Sequence, residues 1–195
     1  MQLASMAKAA TGTGPATVLS ALPAPVPFKD VVVGDGDDAD ASVLEEYAGA
    51  AAVSALPSNP KLFLRRYQGT WVLETWVPGI IAIRRGFAPR RGDVVLASPP
   101  KCGTTWLKAL AFATMARGAY PPAGAGHPLL RLNPHDCVPF MEMLFADGLA
   151  GSRKMAMLPS PRLMATHMHH AILPASISNN PDCKIVYICR YTQTR

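Results

Sequence analysis

Long hydrophobic runs are missing from this chain of 195 residues, and no apolar stretch approaches the ~20 residues that a transmembrane helix needs. Paired cysteines are missing too. The four cysteines are far apart, with no Cys-x-x-Cys motif and no zinc-site spacing: Cys102, Cys137, Cys183 and Cys189. The sequence therefore predicts no membrane span, and it predicts reduced thiols in a cytoplasmic setting.

Acidic residues are scarce over most of the chain. Residues 61–195 hold 17 basic and six acidic side chains, a net charge of +11, whereas residues 1–60 hold two basic and seven acidic ones, a net charge of −5. A basic body suits an anionic ligand. Because the arginines occur as scattered pairs and not as a stripe between exposed aromatics, a small nucleotide is favoured over a nucleic acid.

Hydrophobic periodicity is absent from residues 1–42, which are rich in small residues and proline and then carry an acidic cluster at 35–40. This composition predicts a disordered leader over 1–42, followed by an ordered domain over 43–195.

Strand and helix patterns alternate within that domain. We expect strands in short runs within 62–83, at Val94–Ala97, at 162–166 and, fully buried, at 184–189; we expect helices at 42–55, 104–117, 139–149 and 174–177. The helix at 104–117 is expected to turn five apolar side chains toward the core: Trp106, Leu107, Leu110, Ala113 and Met115. Strands separated by helices predict an α/β fold with a parallel sheet flanked by helices, where ligands bind at the carboxyl ends of the strands.

The segment after Val94–Ala97 is the most informative one. Its loop holds Lys101 and Gly103 and leads directly into a helix, so that loop N–H groups, the helix N-terminus and one lysine can grip a phosphate-like anion. The hydroxyls of Thr104 and Thr105 can donate to the same oxygens, and the ring of Trp106 can stack on a nucleobase. The segment is not a Walker motif, because its lysine precedes its glycine.

His167 and Arg190 also follow predicted strand ends. A neutral imidazole, with an ordinary pKa of about 6.5, can accept a proton from a hydroxyl group. A histidine with a structural hydrogen bond is the alternative. His169 and His170 raise the possibility of a metal site, but no carboxylate or cysteine nearby would complete it, so we expect no metal.

Five segments together resemble the plant cytosolic sulfotransferases. Pro-Lys-Cys-Gly-Thr-Thr-Trp at 100–106 is similar to the 5'-phosphosulfate loop of that family. Four further segments are similar to segments of the same enzymes, in the same order, at 67–71, 133–140, 161–167 and 183–190. The resemblance covers roughly residues 60–190.

The resemblance implies a P-loop NTPase-like sulfotransferase fold and the sulfuryl donor PAPS (3'-phosphoadenosine 5'-phosphosulfate). The acceptor would be a small hydroxylated molecule such as a flavonoid, a steroid or a hydroxylated acid. In this family His167 would be the catalytic base, Lys101 would stabilise the departing phosphate, and Arg190 would bind the 3'-phosphate. Cys102 stands where the family more often has serine, and would supply its backbone N–H to the loop.

The sequence departs from the family in two places. The family usually has Leu-Pro after the catalytic histidine, where this chain has Met168-His169-His170. After Arg190 the family continues with Pro-Lys-Asp, whereas this chain reads Tyr-Thr-Gln-Thr-Arg and ends. Residues 43–195 are therefore expected to form the N-terminal part of a sulfotransferase domain, incomplete at its C-terminus. The alternatives are an inactive truncated relative that at most binds nucleotide, and a disfavoured ATP-dependent kinase.

Overall fold

The computed structural model describes residues 23–33 and 53–190. Two three-stranded sheets follow one another along this part of the chain. The first is antiparallel, in the order β1-β2-β3, with β1 Ser58–Asn59, β2 Leu64–Tyr67 and β3 Thr70–Leu73. The second is parallel, in the order β5-β4-β6, with β4 Val94–Ala97, β5 Leu163–Thr166 and β6 Lys184–Tyr187.

Helices separate and flank the parallel strands, which confirms the predicted α/β class. They are α1 Val77–Gly86, α2 Thr104–Met115, α3 Pro134–Cys137, α4 Met141–Ala146, α5 Gly148–Met157 and α6 Ala175–Ser178. Short 3-10 turns occur at Phe28–Asp30, Glu74–Trp76, Pro128–Leu130 and His170–Ile172. None of these helices combines the length and the apolar character that crossing a bilayer requires.

The central strand β4 sets the position of the site. Its last residue, Ala97, is in register with Thr166 at the end of β5 and with Tyr187 at the end of β6. The three strands therefore end at the same, carboxyl end of the sheet, and Ser98 and His167 begin the loops that follow β4 and β5. The predicted helix at 139–149 is two helices, α4 and α5, and the predicted strands at 162–166 and 184–189 are one and two residues shorter than expected.

The prediction of strands within 62–83 is wrong for the second half of this region. Residues 77–86 form helix α1, and its apolar residues Val77, Ile80 and Ile83 recur at a helical spacing and are completely buried. They pack in the larger of two cores, against residues of α4 such as Met141 and Phe145. The β-branched composition of this region concealed a helical period.

The orientation predicted for α2 is wrong for Trp106 and Leu110, whereas Leu107 and Met115 pack against the smaller core as predicted. Trp106 is 75% exposed and Leu110 is 62% exposed, whereas Thr104, Lys108 and Phe112 are buried. The buried residues are four apart and form one helix face, on which Phe112 packs beside Leu96 and Ala165 in the smaller core. Lys108, a charged residue that the prediction did not place in the core, lies at the centre of this face.

Strand β6 was predicted to be fully buried and is instead half exposed. Val186 is 42% exposed and Tyr187 is 62% exposed, whereas β5, the other outer strand of this sheet, is fully buried. Among the described elements, helices α2 and α4 pack against β5, whereas β6 packs mainly against β4. Its continuous apolar sequence therefore does not by itself indicate two covered faces.

Residues 23–33 belong to the predicted disordered leader, but the structure packs them against the domain. Asp30 forms an ion pair with Arg131, Lys29 lies 3.7 Å from the carboxylate of Asp136, and Phe28 packs against the larger core. These contacts order the segment in spite of its proline-rich composition. The rest of the leader and most of the predicted helix at 42–55 lie outside the described residues.

Helices α1 and α4 approach closely at Gly79. A Cβ atom added at this position would lie 1.8 Å from the backbone oxygen of Glu142. Only glycine permits this contact between the two backbones, and the contact fixes the position of α4, which carries Glu142.

Candidate active site

The loop between β4 and α2 has an unusual backbone. Lys101 has a φ angle of 64°, and Gly103, the N-cap of α2, has a φ angle of 102°. Side chains disfavour this left-handed region, so glycine is required at 103 and Lys101 is held in a strained conformation. Strain of this kind concentrates at functional sites.

A cavity of about 430 Å³ lies over this loop. It is lined by Pro100, Lys101, Gly103, Thr104, Thr105, Trp106, His135, Phe140, His167 and Arg190. Lys101 and Arg190 supply two positive charges, and none of the described residues that line the cavity carries a carboxylate. The cavity therefore suits an anion with several oxygen atoms.

The structure brings together seven of the eight residues that the sequence proposed for the site. Cys102 is the exception. It does not line the cavity, and its N–H donates to the carbonyl oxygen of Pro99 at 3.3 Å, within the loop itself. In this structure the N–H of Cys102 is therefore used within the loop, and its contact with a ligand stays a prediction.

The two threonines of the first helical turn differ in their surroundings. Thr104 is buried, and its hydroxyl lies 2.6 Å from the hydroxyl of Ser98, where either group can donate. Thr105 is exposed to the cavity, and its Oγ1 lies 3.2 Å from Nε2 of His135. Thr105 is therefore the better placed of the two to meet a ligand.

His167 is held in one orientation by both its ring nitrogen and its ring faces. Its Nδ1 lies 2.7 Å from the carbonyl oxygen of Ser98. Because a carbonyl oxygen can only accept, Nδ1 carries the hydrogen, and in the neutral ring Nε2 keeps a free lone pair. The ring stacks on Trp76 at 5.2 Å between centroids and lies 4.5 Å from the ring of Phe140.

His167 also lines a second cavity, of about 440 Å³. Pro100 likewise lines both cavities. The walls of the second cavity are mainly apolar and aromatic, and include Trp71, Trp76 and Tyr187. His169 and His170 line it as well. The imidazole of His167 therefore stands between a cationic cavity and an apolar one.

Glu142 is a site residue that the sequence did not identify. It is completely buried on α4 and accepts hydrogen bonds from the backbone N–H of His167 at 2.6 Å and from the hydroxyl of Thr166 at 2.9 Å. Burial raises the pKa of its carboxyl group above the ordinary value of 4.5. Glu142 thus anchors the backbone that carries the histidine.

The raised pKa of Glu142 predicts a specific dependence of stability on pH. Its contribution to the unfolding free energy is complete below pH 4.5, the ordinary pKa, and is lost as the pH rises through the folded-state pKa. In Glu142→Gln the amide can still accept from His167 and can donate to Thr166, and the ionisation is gone. We expect the variant to gain stability relative to wild type as the pH rises above about 4.5, by up to about 1.4 kcal/mol per pH unit. Urea unfolding between pH 4 and pH 8 measures this difference, and parallel pH profiles would contradict it.

Lys108 is a second residue that the sequence missed. Its ammonium group lies 2.8 Å from the carbonyl oxygen of Val138 and 3.0 Å from Nδ1 of His135, and stands 3.3 Å from the centroid of the Phe140 ring. Burial lowers its pKa to about 7. Nothing in the local sequence of an amphipathic helix distinguishes this lysine from a solvated one.

In the part of the chain that the structure describes, no three His, Cys, Asp or Glu side chains are grouped closely enough to hold a metal ion.

Comparison with known proteins connects this geometry to one family. The family described as the sulfotransferase domain matches residues 91–195. Over 144 residues the chain is 40% identical to cytosolic sulfotransferase 12 of Arabidopsis thaliana, covering 72% of this chain and 43% of that protein. Over 147 residues it is 41% identical to cytosolic sulfotransferase 8 of the same plant, covering 71% of this chain and 42% of that protein.

A solved structure shows the same similarity at the level of the fold. An Arabidopsis thaliana sulphotransferase superposes with a TM-score of 0.64 at 37% identity, covering 80% of this chain and 54% of that one. The chain spans about 43% of the length of the first curated relatives that it matches.

Proposed function

Because this chain belongs to the sulfotransferase family, we propose that its cationic cavity binds PAPS and that its site transfers the sulfuryl group of PAPS to a hydroxyl of a small acceptor. The observation that carries the proposal is the placement of His167 between the two cavities, with Nδ1 bonded to Ser98 and Nε2 free. The relatives are named cytosolic, and we extend a cytoplasmic location to this chain on that basis.

The residues of the first cavity fit a nucleotide that carries phosphates. Lys101 and the loop before α2 would hold the 5'-phosphosulfate, Arg190 would pair with the 3'-phosphate through its planar guanidinium, and Trp106 would stack on the base. When bound, PAPS would supply the sulfuryl group. The positive charge of Lys101 would stabilise the negative charge that collects on the departing phosphate.

The second cavity fits the acceptor. Its apolar and aromatic walls suit a ring system such as that of a flavonoid or a steroid. His169 and His170, which also line this cavity, would tolerate the carboxylate of a hydroxylated acid. An acceptor hydroxyl placed against His167 could pass its proton to Nε2, while the bond from Nδ1 to Ser98 holds the ring in place. His167 would therefore act as the general base.

Nucleotide affinity tests the proposal through Lys101. We expect calorimetry to show that the protein binds 3',5'-diphosphoadenosine (PAP) more tightly than ATP. We expect Lys101→Met to weaken PAP binding by about 10- to 100-fold, because a charged hydrogen bond contributes about 1.5–3 kcal/mol. The matched control is Lys61→Met, which removes one positive charge from an exposed position outside both cavities and should not change PAP affinity.

Transfer of labelled sulfate from PAPS to a panel of phenols and alcohols completes this test. Transfer supports the full proposal. Binding of PAP without transfer at any protein concentration would support a nucleotide-binding relative instead, and a preference for ATP over PAP would contradict both.

A further inference from the structure

A chain of three polar side chains leads from the protein interior to the cationic cavity. Lys108 lies at its buried end, and Nζ is 3.0 Å from Nδ1 of His135. The other ring nitrogen, Nε2, is 3.2 Å from Oγ1 of Thr105, which lines the cavity. We propose that Lys108 and His135 are positioning residues, which form a hydrogen-bond relay that turns the Thr105 hydroxyl hydrogen toward the phosphosulfate. This inference rests on the proposed function for the identity of the ligand.

The direction of the relay begins at Lys108. The carbonyl oxygen of Val138, 2.8 Å from Nζ, can only accept a hydrogen bond. An ammonium group has three hydrogens and no lone pair, so it can only donate. The position of Nζ over the face of the Phe140 ring, 3.3 Å from its centroid, favours this charged form of Lys108. Lys108 therefore donates to His135, and Nδ1 of His135 accepts.

The tautomer of His135 follows from that bond. A neutral imidazole carries one hydrogen, and since Nδ1 accepts, the hydrogen is on Nε2. Burial and the neighbouring charge of Lys108 lower the pKa of His135, which favours the neutral ring. Nε2 then donates to Oγ1 of Thr105.

Thr105 completes the relay at the cavity. Its oxygen accepts from His135, so its own hydrogen is free to point at a ligand. Phosphate and sulfate oxygens only accept hydrogen bonds at neutral pH, and this arrangement presents them with a donor. With the opposite tautomer His135 would accept from Thr105, and the threonine would turn lone pairs toward the anion. Lys108 would thus affect ligand affinity although it does not line the cavity.

The ring of Phe140 connects the relay to the base. The ammonium group of Lys108 stands over the face of this ring, and the ring packs against His167. The same lysine also fixes the backbone at Val138, two residues before Phe140. Lys108 therefore contacts residues that position both Thr105 in the cationic cavity and the ring of His167.

The first experiment determines the tautomer by nitrogen-15 NMR of the ring nitrogens of His135, in the full chain without ligand. We expect a protonated Nε2 and an unprotonated Nδ1 in wild type, and a mixture of tautomers in Lys108→Met. A wild-type ring with hydrogen on Nδ1 would overturn the relay.

The second experiment measures PAP affinity in variants of the exposed His135, which should fold even if Lys108→Met does not. Gln places an amide nitrogen near the position of Nε2 and keeps the donor, whereas Asn places it near Nδ1 and loses the donor. We expect His135→Gln to bind PAP within about twofold of wild type and His135→Asn to bind about tenfold more weakly. Equal affinities of the two variants would overturn the proposal.

The double variant separates the relay from a simple charge effect. Lys108→Met alone should weaken PAP binding about tenfold, and the same substitution made in His135→Gln should cause little further loss, because the amide donates without help. An undiminished loss in the double variant would show that Lys108 acts through its charge alone. If wild type does not bind PAP, the proposed function fails, and the NMR experiment decides the relay independently.

Discussion

Replacement of His167 by glutamine is expected to lower the rate of sulfuryl transfer by about 10²- to 10⁴-fold, the usual contribution of a general base. Gln offers no basic lone pair, but its planar amide can occupy the space between Trp76 and Phe140 and can donate to the carbonyl oxygen of Ser98. The loss would therefore reflect proton transfer and not a collapsed site. Single-turnover assays with saturating PAPS and acceptor measure the chemical step.

Two measurements distinguish the loss of a base from a loss of nucleotide binding. PAP affinity of His167→Gln should fall far less than that of Lys101→Met, because Nδ1 of the histidine is hydrogen-bonded to Ser98 and the lysine supplies one of the two positive charges in the cavity. The loss of rate should also persist when the PAPS concentration is raised to saturation, because added nucleotide cannot replace a missing base. A variant that transfers at the wild-type rate would exclude His167 as the base.

Replacement of Gly79 by alanine is expected to destabilise the fold by about 3 kcal/mol, in spite of the roughly 1 kcal/mol that alanine gains over glycine in a helix. The added Cβ would overlap the backbone oxygen of Glu142, so α1 and α4 would have to separate. Because Glu142 also anchors the backbone of His167, the strain would reach the site. Urea unfolding measures the loss.

Gly86→Ala is the matched control for this substitution. Gly86 is the last residue of the same helix, and a Cβ there would meet no atom within 4 Å. We expect its unfolding free energy to equal or exceed that of wild type. Equal stability of the two variants would show that α1 and α4 can separate at Gly79 at little cost in free energy, and would contradict the prediction.

The cationic half of the site could be predicted from the sequence because it is local. A strand, a loop and the first turn of a helix place Lys101, Gly103, Thr105 and Trp106 around one cavity whatever the rest of the chain does. His167 could be predicted because parallel strands end at a common edge of the sheet.

The support beneath the site could not be predicted, because its residues depend on partners that are distant in sequence. Lys108 is compatible with burial only because Val138 and His135 accept its hydrogens, 30 and 27 residues further along the chain. Glu142 likewise needs Thr166 and His167. Charged residues are expected at the surface unless such partners are known, so both positions resemble solvated helix residues in the sequence.

Two further predictions are wrong for a similar reason: the burial of Trp106 and Leu110 on α2, and the burial of strand β6. The apolar residues of α2 suggested Trp106 and Leu110 as core positions, but the face that meets the sheet is decided by the packing of β4 and β5. The apolar run of β6 predicted a covered strand, but whether helices cover a strand depends on the packing of elements that are distant in sequence, which no local pattern specifies.

The stacking of Trp76 on His167 also gives the site a built-in optical reporter. Trp76 also lines the apolar cavity, so an acceptor that enters this cavity should change the emission of the indole. Fluorescence would then follow the arrival of the acceptor in the resting protein, before any donor is added. It would also separate variants that exclude the acceptor from those that hold it and fail to react.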